Sequence, residues 1–132
     1  YTSISSSFSI AAGRISFSLA YVGPAVSIDT ACSSALVAVH AASQYVTSSQ
    51  HSSSAHSISM MLSPDTSLAV RVAGMTSPDG RCKALDRSAD GYGRSECCAS
   101  VLLSLSDLEG ACLLEAASVN QDGRSSSLTA PS

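Results

Sequence analysis

A cysteine stands at the corner of a strand-turn-helix pattern in the first third of the chain. The run Ala25–Ile28 leads into a polar corner at residues 29–34, and an Ala/Val/Leu-rich segment of helical length follows. A thiol at the start of a helix lies beside unpaired backbone N–H groups and the positive end of the helix dipole, which favour the thiolate. The same N–H groups can hold the oxyanion that forms when sulfur attacks a carbonyl. The pattern therefore predicts acyl transfer by Cys32.

Two further sequence blocks follow the cysteine corner. In residue type, order and spacing, the three blocks resemble the ketosynthase (β-ketoacyl synthase) domains of type I polyketide synthases. The blocks are Asp29-Thr30-Ala31-Cys32-Ser33-Ser34-Ala35-Leu36, then Ser77-Pro78-Asp79-Gly80-Arg81-Cys82-Lys83 with Ala89-Asp90-Gly91-Tyr92, and then Val119-Asn120-Gln121-Asp122-Gly123-Arg124-Ser125 with Leu128-Thr129-Ala130-Pro131.

The resemblance implies an α/β fold, namely part of the thiolase-like layered α/β/α/β/α fold in which the nucleophile lies on a strand-turn-helix elbow. A ketosynthase domain is considerably longer than 132 residues. Residues 1–132 are therefore expected to be the central portion of such a domain, within a longer polypeptide. The family's two histidine motifs and its supporting lysine are expected downstream of this segment.

The resemblance also implies an activity, a decarboxylative Claisen condensation in polyketide biosynthesis. Cys32 is the expected catalytic residue, Tyr92 is expected near the acyl pocket, and Thr129 is expected to contact the pantetheine arm. The segment is expected to bind no cofactor or metal, because phosphopantetheine arrives on an acyl carrier protein or on CoA. The expected partners are that carrier and acyl and malonyl-type thioesters, with a homodimer in the intact domain. The implied location is the cytoplasm, or the plastid of a photosynthetic eukaryote, and the segment alone is expected to be inactive.

Departures from the family pattern keep other hypotheses open. Serines at 52–54 stand at positions that are usually apolar, His56 and Ser57 stand where two glycines are common, and Ser95 and Cys97 replace glycines after the tyrosine. These changes favour a non-condensing or decayed copy with a structural or carrier-docking role, which the intact Cys32 opposes. A fatty-acid condensing enzyme or thiolase relative, and an unrelated cysteine hydrolase with a similar elbow, are the remaining alternatives.

Composition excludes several other classes of protein. The net charge is −3 with only seven Lys and Arg, so nucleic-acid binding is not expected. No apolar run reaches the length of a membrane span. The five cysteines are odd in number and lack zinc or disulfide spacing, which predicts free thiols. His40 lies about 12 Å from Cys32 along a helix, too far to act as its base, and His51 and His56 are interpreted as solvated loop residues.

The remaining pattern predicts the elements that position these residues. Loop 81–96 is either a solvated surface loop or, as the resemblance implies, an ordered loop held by internal ion pairs. Segment 47–59 reads as a polar linker by composition, whereas the family has a buried strand there. The predicted elements before residue 50 are a helix over 6–20, a strand over 25–28 and a buried helix over 33–46. A third helix is predicted to begin at Ser63-Pro64-Asp65 and to end at Gly74, with Leu68, Val72 and Met75 on its inner face. A turn at 78–80 and a hairpin of strands 101–105 and 113–119 follow.

Overall fold

The computed structural model describes residues 7–105, 112–121, 123, 124 and 126. The chain divides into two compact units, one made of the residues up to Ser53 together with those from Leu103 onward, and the other of Ser54–Leu102. Helices and strands both occur, as the sequence predicts. In chain order the elements are α1 (Phe8–Ser18), a 3-10 turn (Ala31–Ser33), α2 (Ser34–Ser49), β1 (Ser53–Ser59), α3 (Pro64–Val72) and β2 (Cys97–Leu103).

Helices α1 and α2 belong to the first unit, and both were predicted. Helix α2 continues three residues beyond the predicted end, to Ser49, and hydroxyl groups in its last turns bond back to carbonyls of the helix. Thr47 Oγ1 donates to the carbonyl of Ser43 (3.0 Å) and Ser49 Oγ to that of Tyr45 (2.7 Å). The helix ends at Gln50, which has a left-handed backbone with φ +62°.

The prediction that α2 is buried on every face is wrong for the described chain. Ala42 and Val46 are buried, whereas Leu36 is 75% exposed. A helix is buried all round only where neighbours cover each face. The described residues bury α2 at Ala42 and Val46, half-bury Val37, Val39 and Tyr45, and leave Leu36 open.

The predicted strand over 25–28 does not form, and this prediction is wrong. A strand needs a partner for its backbone N–H and C=O groups, and no described segment pairs with these residues. The segment is tied to α1 instead, because the Ser27 hydroxyl donates to the carbonyl of Phe8.

Strands β1 and β2 pair in the second unit as a two-stranded sheet. The polar-linker reading of segment 47–59 is therefore wrong over Ser53–Ser59, and the strand implied by the resemblance is present. Ala55 is buried in β1. His56 lies in this strand rather than in a solvated loop, and its ring nitrogens each contact a serine hydroxyl at 2.9 Å, Nε2 that of Ser54 and Nδ1 that of Ser100. These hydrogen bonds satisfy the polar groups of His56, Ser54 and Ser100 within the sheet. The composition of the segment does not predict this pairing.

The predicted hairpin after β2 is wrong. Strand β2 covers Cys97–Leu103 and pairs with β1, and residues 112–119 form no strand. Residues 106–111, which would connect the two predicted strands, lie outside the described residues. Alternation of apolar residues marks a strand but does not identify its partner, and here the partner is a distant strand rather than the next segment.

Helix α3 begins as predicted. Ser63 is its N-cap and accepts the N–H of Asp65 at 3.1 Å, Pro64 is its first residue, and Gly74 follows its end with φ +69°. The predicted inner face is wrong for the described chain, because Leu68, Val72 and Met75 are exposed. Capping depends on local geometry alone, whereas burial depends on what packs against the helix.

Ser63→Ala is expected to destabilise α3 by about 1 kcal/mol, because the Asp65 N–H loses its acceptor. Hydrogen exchange of the α3 amides in the full-length protein measures this change. Thr66→Ala is the matched control, since Thr66 is an exposed residue of the same helix, and its expected effect is within about 0.5 kcal/mol. Equal exchange in both variants would contradict the capping role.

Candidate active site

Cys32 lies in the 3-10 turn that leads directly into α2. The preceding residue, Ala31, has φ +56°, a left-handed backbone that costs a residue with a Cβ roughly 1–2 kcal/mol. This sharp bend separates the incoming chain from the helix and leaves the cysteine exposed at the corner. The thiol therefore occupies the predicted elbow, although the segment before it is not a strand.

Four polar side chains hold the elbow. Asp29 Oδ1 accepts the N–H of Ala31 at 3.0 Å. Ser34 Oγ accepts the N–H of Thr30 at 2.8 Å and donates to the carbonyl of Ala31 at 2.7 Å. The Ser33 hydroxyl contacts the carbonyl and side-chain oxygens of Thr30, both at 2.9 Å. These bonds offset the backbone cost at Ala31, so the four residues act as a scaffold for the cysteine.

Helix α2 follows the elbow directly and carries no acidic residue in its own first turn. The Asp29 carboxylate lies just before the bend, where it accepts the N–H of Ala31.

The three histidines have other partners. His40 Nδ1 lies 3.1 Å from the carbonyl of Ala117, and His51 Nδ1 lies 2.8 Å from that of Ser49. His56 contacts Ser54 and Ser100. Within the described ranges, none of them forms a hydrogen bond with Cys32.

A second cluster of polar groups occurs in the other unit, around Ser77, which is 6% exposed. Its hydroxyl lies 2.6 Å from Asp79 Oδ1 and 2.7 Å from Asp90 Oδ1. Lys83 Nζ forms ion pairs with both carboxylates, at 3.1 Å to Asp79 and 2.9 Å to Asp90. The ordered-loop interpretation of residues 81–96, with internal ion pairs, thus describes the structure better than a solvated loop.

These contacts shift the ionisation of all three charged groups. The Ser77 hydroxyl and then the Lys83 ammonium lower the pKa of Asp79, and the same two groups lower the pKa of Asp90. The carboxylates of Asp90 and Asp79 raise the pKa of Lys83. All three groups are therefore charged across the neutral pH range.

Tyr92 follows this cluster and is partly exposed. Its N–H donates to the carbonyl of Met75 at 3.1 Å, and its carbonyl accepts the N–H of Ser77 at 3.0 Å. Its place at an acyl pocket stays a prediction, and Thr129 lies outside the described residues. Ser95 and Cys97 do not have a positive φ, so the glycine freedom expected at these positions is not needed here.

Sequence reasoning missed the roles of Ser77 and Lys83. Both lie in the second block, where Ser-Pro-Asp-Gly reads as a turn and the lysine as one charge among many. The turn itself is confirmed, since the Gly80 N–H donates to the carbonyl of Ser77. The signal that could have revealed the cluster is the pair of aspartates on either side of a single lysine.

All five cysteines are free, as predicted, and all five are exposed. In the part of the chain that the structure describes, no group of three metal-ligating side chains comes together. No helix among the described residues is long and apolar enough to cross a bilayer.

Comparison with known families identifies the protein family of this chain. The family model described as the N-terminal domain of β-ketoacyl synthase matches residues 1–107. The chain belongs to the β-ketoacyl synthase family. Relatives of this ketosynthase chain include a phenolphthiocerol/phthiocerol polyketide synthase polypeptide of Mycobacterium tuberculosis, which is 42% identical over 99% of the chain. The lovastatin nonaketide synthase of Monascus pilosus is 41% identical over the same share.

Solved structures agree with this assignment. The ketosynthase from module 6 of the bacillaene synthase of Bacillus subtilis is 38% identical and matches 96% of the chain with a TM-score of 0.80. The thiolase-like α/β fold predicted for the ketosynthase chain is thereby confirmed. The chain spans 9% of the mycobacterial polypeptide, 4% of the fungal synthase and 24% of the Bacillus ketosynthase.

Proposed function

We propose that Cys32 is the nucleophile of a decarboxylative Claisen condensation in a polyketide synthase. The observation that carries the proposal is the elbow, where Ala31 at φ +56° and the four scaffold residues present the thiol at the start of α2. Backbone N–H groups at a helix N-terminus can bind the oxyanion that forms when the sulfur attacks a carbonyl. The likeness to polyketide synthases supports the choice of a thioester as substrate.

The first half-reaction is acyl loading. The Cys32 thiolate attacks the carbonyl of an acyl thioester on a carrier protein or CoA, and a tetrahedral oxyanion forms. Collapse of this intermediate breaks the carbonyl–sulfur bond to the pantetheine arm, which leaves as a thiol after taking up a proton. The acyl group is then held on Cys32 as a new thioester.

The second half-reaction forms the carbon–carbon bond. A malonyl-type extender on the carrier loses CO₂, and the resulting carbanion attacks the Cys32 thioester. The bond between the acyl carbon and sulfur breaks, Cys32 is released, and a β-ketoacyl thioester remains on the carrier. None of the described histidines contacts the elbow cysteine, so we assign enolate stabilisation to histidines outside residues 1–132.

Residues 1–132 act, in this proposal, as part of a ketosynthase domain and are inactive alone. The exposed apolar side chains support this, since Leu36, Phe17 and Leu68 lie open in the described chain and exposed apolar surface of this kind marks contact surfaces. Tyr92 and Thr129 are proposed to contact the acyl group and the pantetheine arm. An acyl carrier protein is the proposed partner, within a homodimeric domain.

Mapping the acyl group tests the proposal. The full-length protein is incubated with an acyl-CoA and separately with a simple aryl ester, then digested and analysed by mass spectrometry. The expected result is an acyl mass on the peptide that contains Cys32, and only with the thioester. Equal acylation by the aryl ester would favour a cysteine hydrolase, and acylation of another cysteine would overturn the assignment. Loading that yields no β-ketoacyl product with a malonyl thioester would identify a non-condensing copy.

A further inference from the structure

Residues 76–93 form a closed loop whose two ends pair with each other. Thr76 and Tyr92 form a parallel bridge, and the N–H of Tyr92 and of Ser77 donate across the closure at 3.1 and 3.0 Å. Two glycines allow the approach: a Cβ on Gly91 would lie 2.5 Å from the backbone nitrogen of Ser77, and one on Gly93 would lie 2.4 Å from the carbonyl oxygen of Gly80. The closed loop is therefore shaped by its backbone contacts.

Two carboxylates lie close together inside the closed loop, and the Lys83 ammonium compensates their charge. A serine hydroxyl has a single hydrogen, yet carboxylate oxygens of both Asp79 and Asp90 lie within 2.7 Å of Ser77 Oγ. Two carboxylates sharing one donor repel each other. Lys83 Nζ bridges them at 2.9–3.1 Å, which supplies the compensating positive charge.

We propose that Lys83 is a positioning residue, whose ammonium group holds the loop closed by neutralising Asp79 and Asp90 and so fixes the backbone of Tyr92. The part of this inference that concerns substrate rests on the proposed function, in which Tyr92 lies against the acyl group. The closure itself does not depend on that function.

The backbone at Lys83 supports this role. Its φ is +24°, and Leu85 two residues later has φ +62°. Non-glycine residues hold such values only where surrounding contacts impose them. Leu85 is fully exposed, so its packing does not impose this backbone. The contacts present are the ion pairs of the Lys83 ammonium and the N–H of Asp86, which donates to the carbonyl of Lys83 at 3.1 Å.

Other charged groups near the cluster are few. Arg71 of α3 lines a cavity of about 370 Å³ together with Asp90, Thr76 and Ser77. The N–H of Arg81 donates to Asp79 Oδ1 at 3.3 Å. The carboxylate of Asp86 is occupied by the N–H and hydroxyl of Ser88, both at 2.8 Å. Lys83 is the only cation that the structure shows in an ion pair with Asp79 or Asp90 within residues 7–105.

Hydrogen exchange of the Tyr92 and Ser77 amides in the full-length protein tests the closure. Lys83→Met keeps the aliphatic stem and removes the charge, and it is expected to accelerate exchange of both amides by about fivefold at neutral pH. Lys83→Arg is expected to keep most of the protection. Arg87→Met is the matched control, because Arg87 is an exposed cation of the same loop, and no acceleration is expected.

A double substitution separates charge from packing. In Lys83→Met the two carboxylates face each other without a cation, so Asp90→Asn in that background is expected to restore most of the protection. The same logic predicts that the defect of Lys83→Met shrinks as the pH falls, because one of the unneutralised carboxyls takes up a proton at a higher pH than in the parent. No rescue by Asp90→Asn, or a defect that does not change with pH, would overturn the proposal.

Kinetics test the link to substrate. Lys83→Met is expected to raise the KM for the acyl thioester severalfold more than it lowers kcat, since Tyr92 is displaced while Cys32 is intact. Faster amide exchange with unchanged KM would overturn the role of the closure at the substrate and leave acyl loading by Cys32 standing. Failure of Cys32 to load at all would overturn the proposed function without touching the exchange result.

Discussion

Replacing Cys32 with alanine is expected to abolish acyl loading of the full-length protein. The acyl-enzyme requires a sulfur at the elbow, and no other nucleophile can take its place, because Ser33 and Ser34 use their hydroxyls to hold the bend. Removal of a catalytic nucleophile commonly lowers the rate on the order of 10³-fold or more. The measurement is retention of a radiolabelled acyl group after denaturing gel filtration.

Cys112→Ala is the matched control for this experiment. Cys112 is also a free and exposed thiol, but it lies outside the described helices and strands. We expect loading of this variant to equal that of the parent protein. A Cys32→Ala protein that still retains the label would contradict the assignment of the nucleophile. A loss of label in Cys112→Ala would assign acyl loading to Cys112 instead.

Gly91→Ala is expected to destabilise the second unit by roughly 2–4 kcal/mol. Gly91 has φ +135°, which residues with a Cβ rarely adopt, and the added carbon would lie 2.5 Å from backbone atoms of both Ser77 and Thr76. Backbone atoms cannot move aside as a flexible side chain can, so the Thr76–Tyr92 bridge would open. Loss of protection at the Tyr92 amide, together with a lower midpoint in urea, would report this.

Gly13→Ala makes the same chemical change as Gly91→Ala but is expected to raise stability rather than lower it. Gly13 lies inside α1, and a Cβ there would meet no atom of the described neighbouring residues within 4 Å. Alanine is favoured over glycine in a helix interior by about 0.5–1 kcal/mol, so this variant is expected to be slightly more stable. If both variants behave alike, the close approach at Gly91 is not the cause of the effect.

Local features of the fold could be predicted from the sequence. The Ser63-Pro64-Asp65 cap, the turn at 78–80 and the elbow around Cys32 depend on residues that are adjacent in the chain. Their hydrogen bonds close over two to four residues, so the residue types at those positions suffice to predict them.

Features that depend on distant partners could not be predicted in this way. Strand β2 pairs with β1, some forty residues earlier in the chain, and not with the segment that follows it. The predictions of which faces of α2 and α3 are buried were wrong for the same reason, because an apolar stripe does not indicate which surface packs against it. The cluster around Lys83 could not be predicted either, because it depends on the contact between Ser77 and Asp90, which are 13 residues apart in the chain.

His56 and its two serines have a consequence for how β1 finds its place in the sheet. A strand with alternating apolar residues records its register in that pattern, but β1 reads Ser-Ser-Ala-His-Ser-Ile-Ser and carries little of it. A slip by one residue would turn the imidazole to the opposite face, away from the Ser100 hydroxyl at 2.9 Å. In this strand the hydrogen bond between His56 and Ser100 therefore adds a register signal to the one that the buried Ala55 supplies.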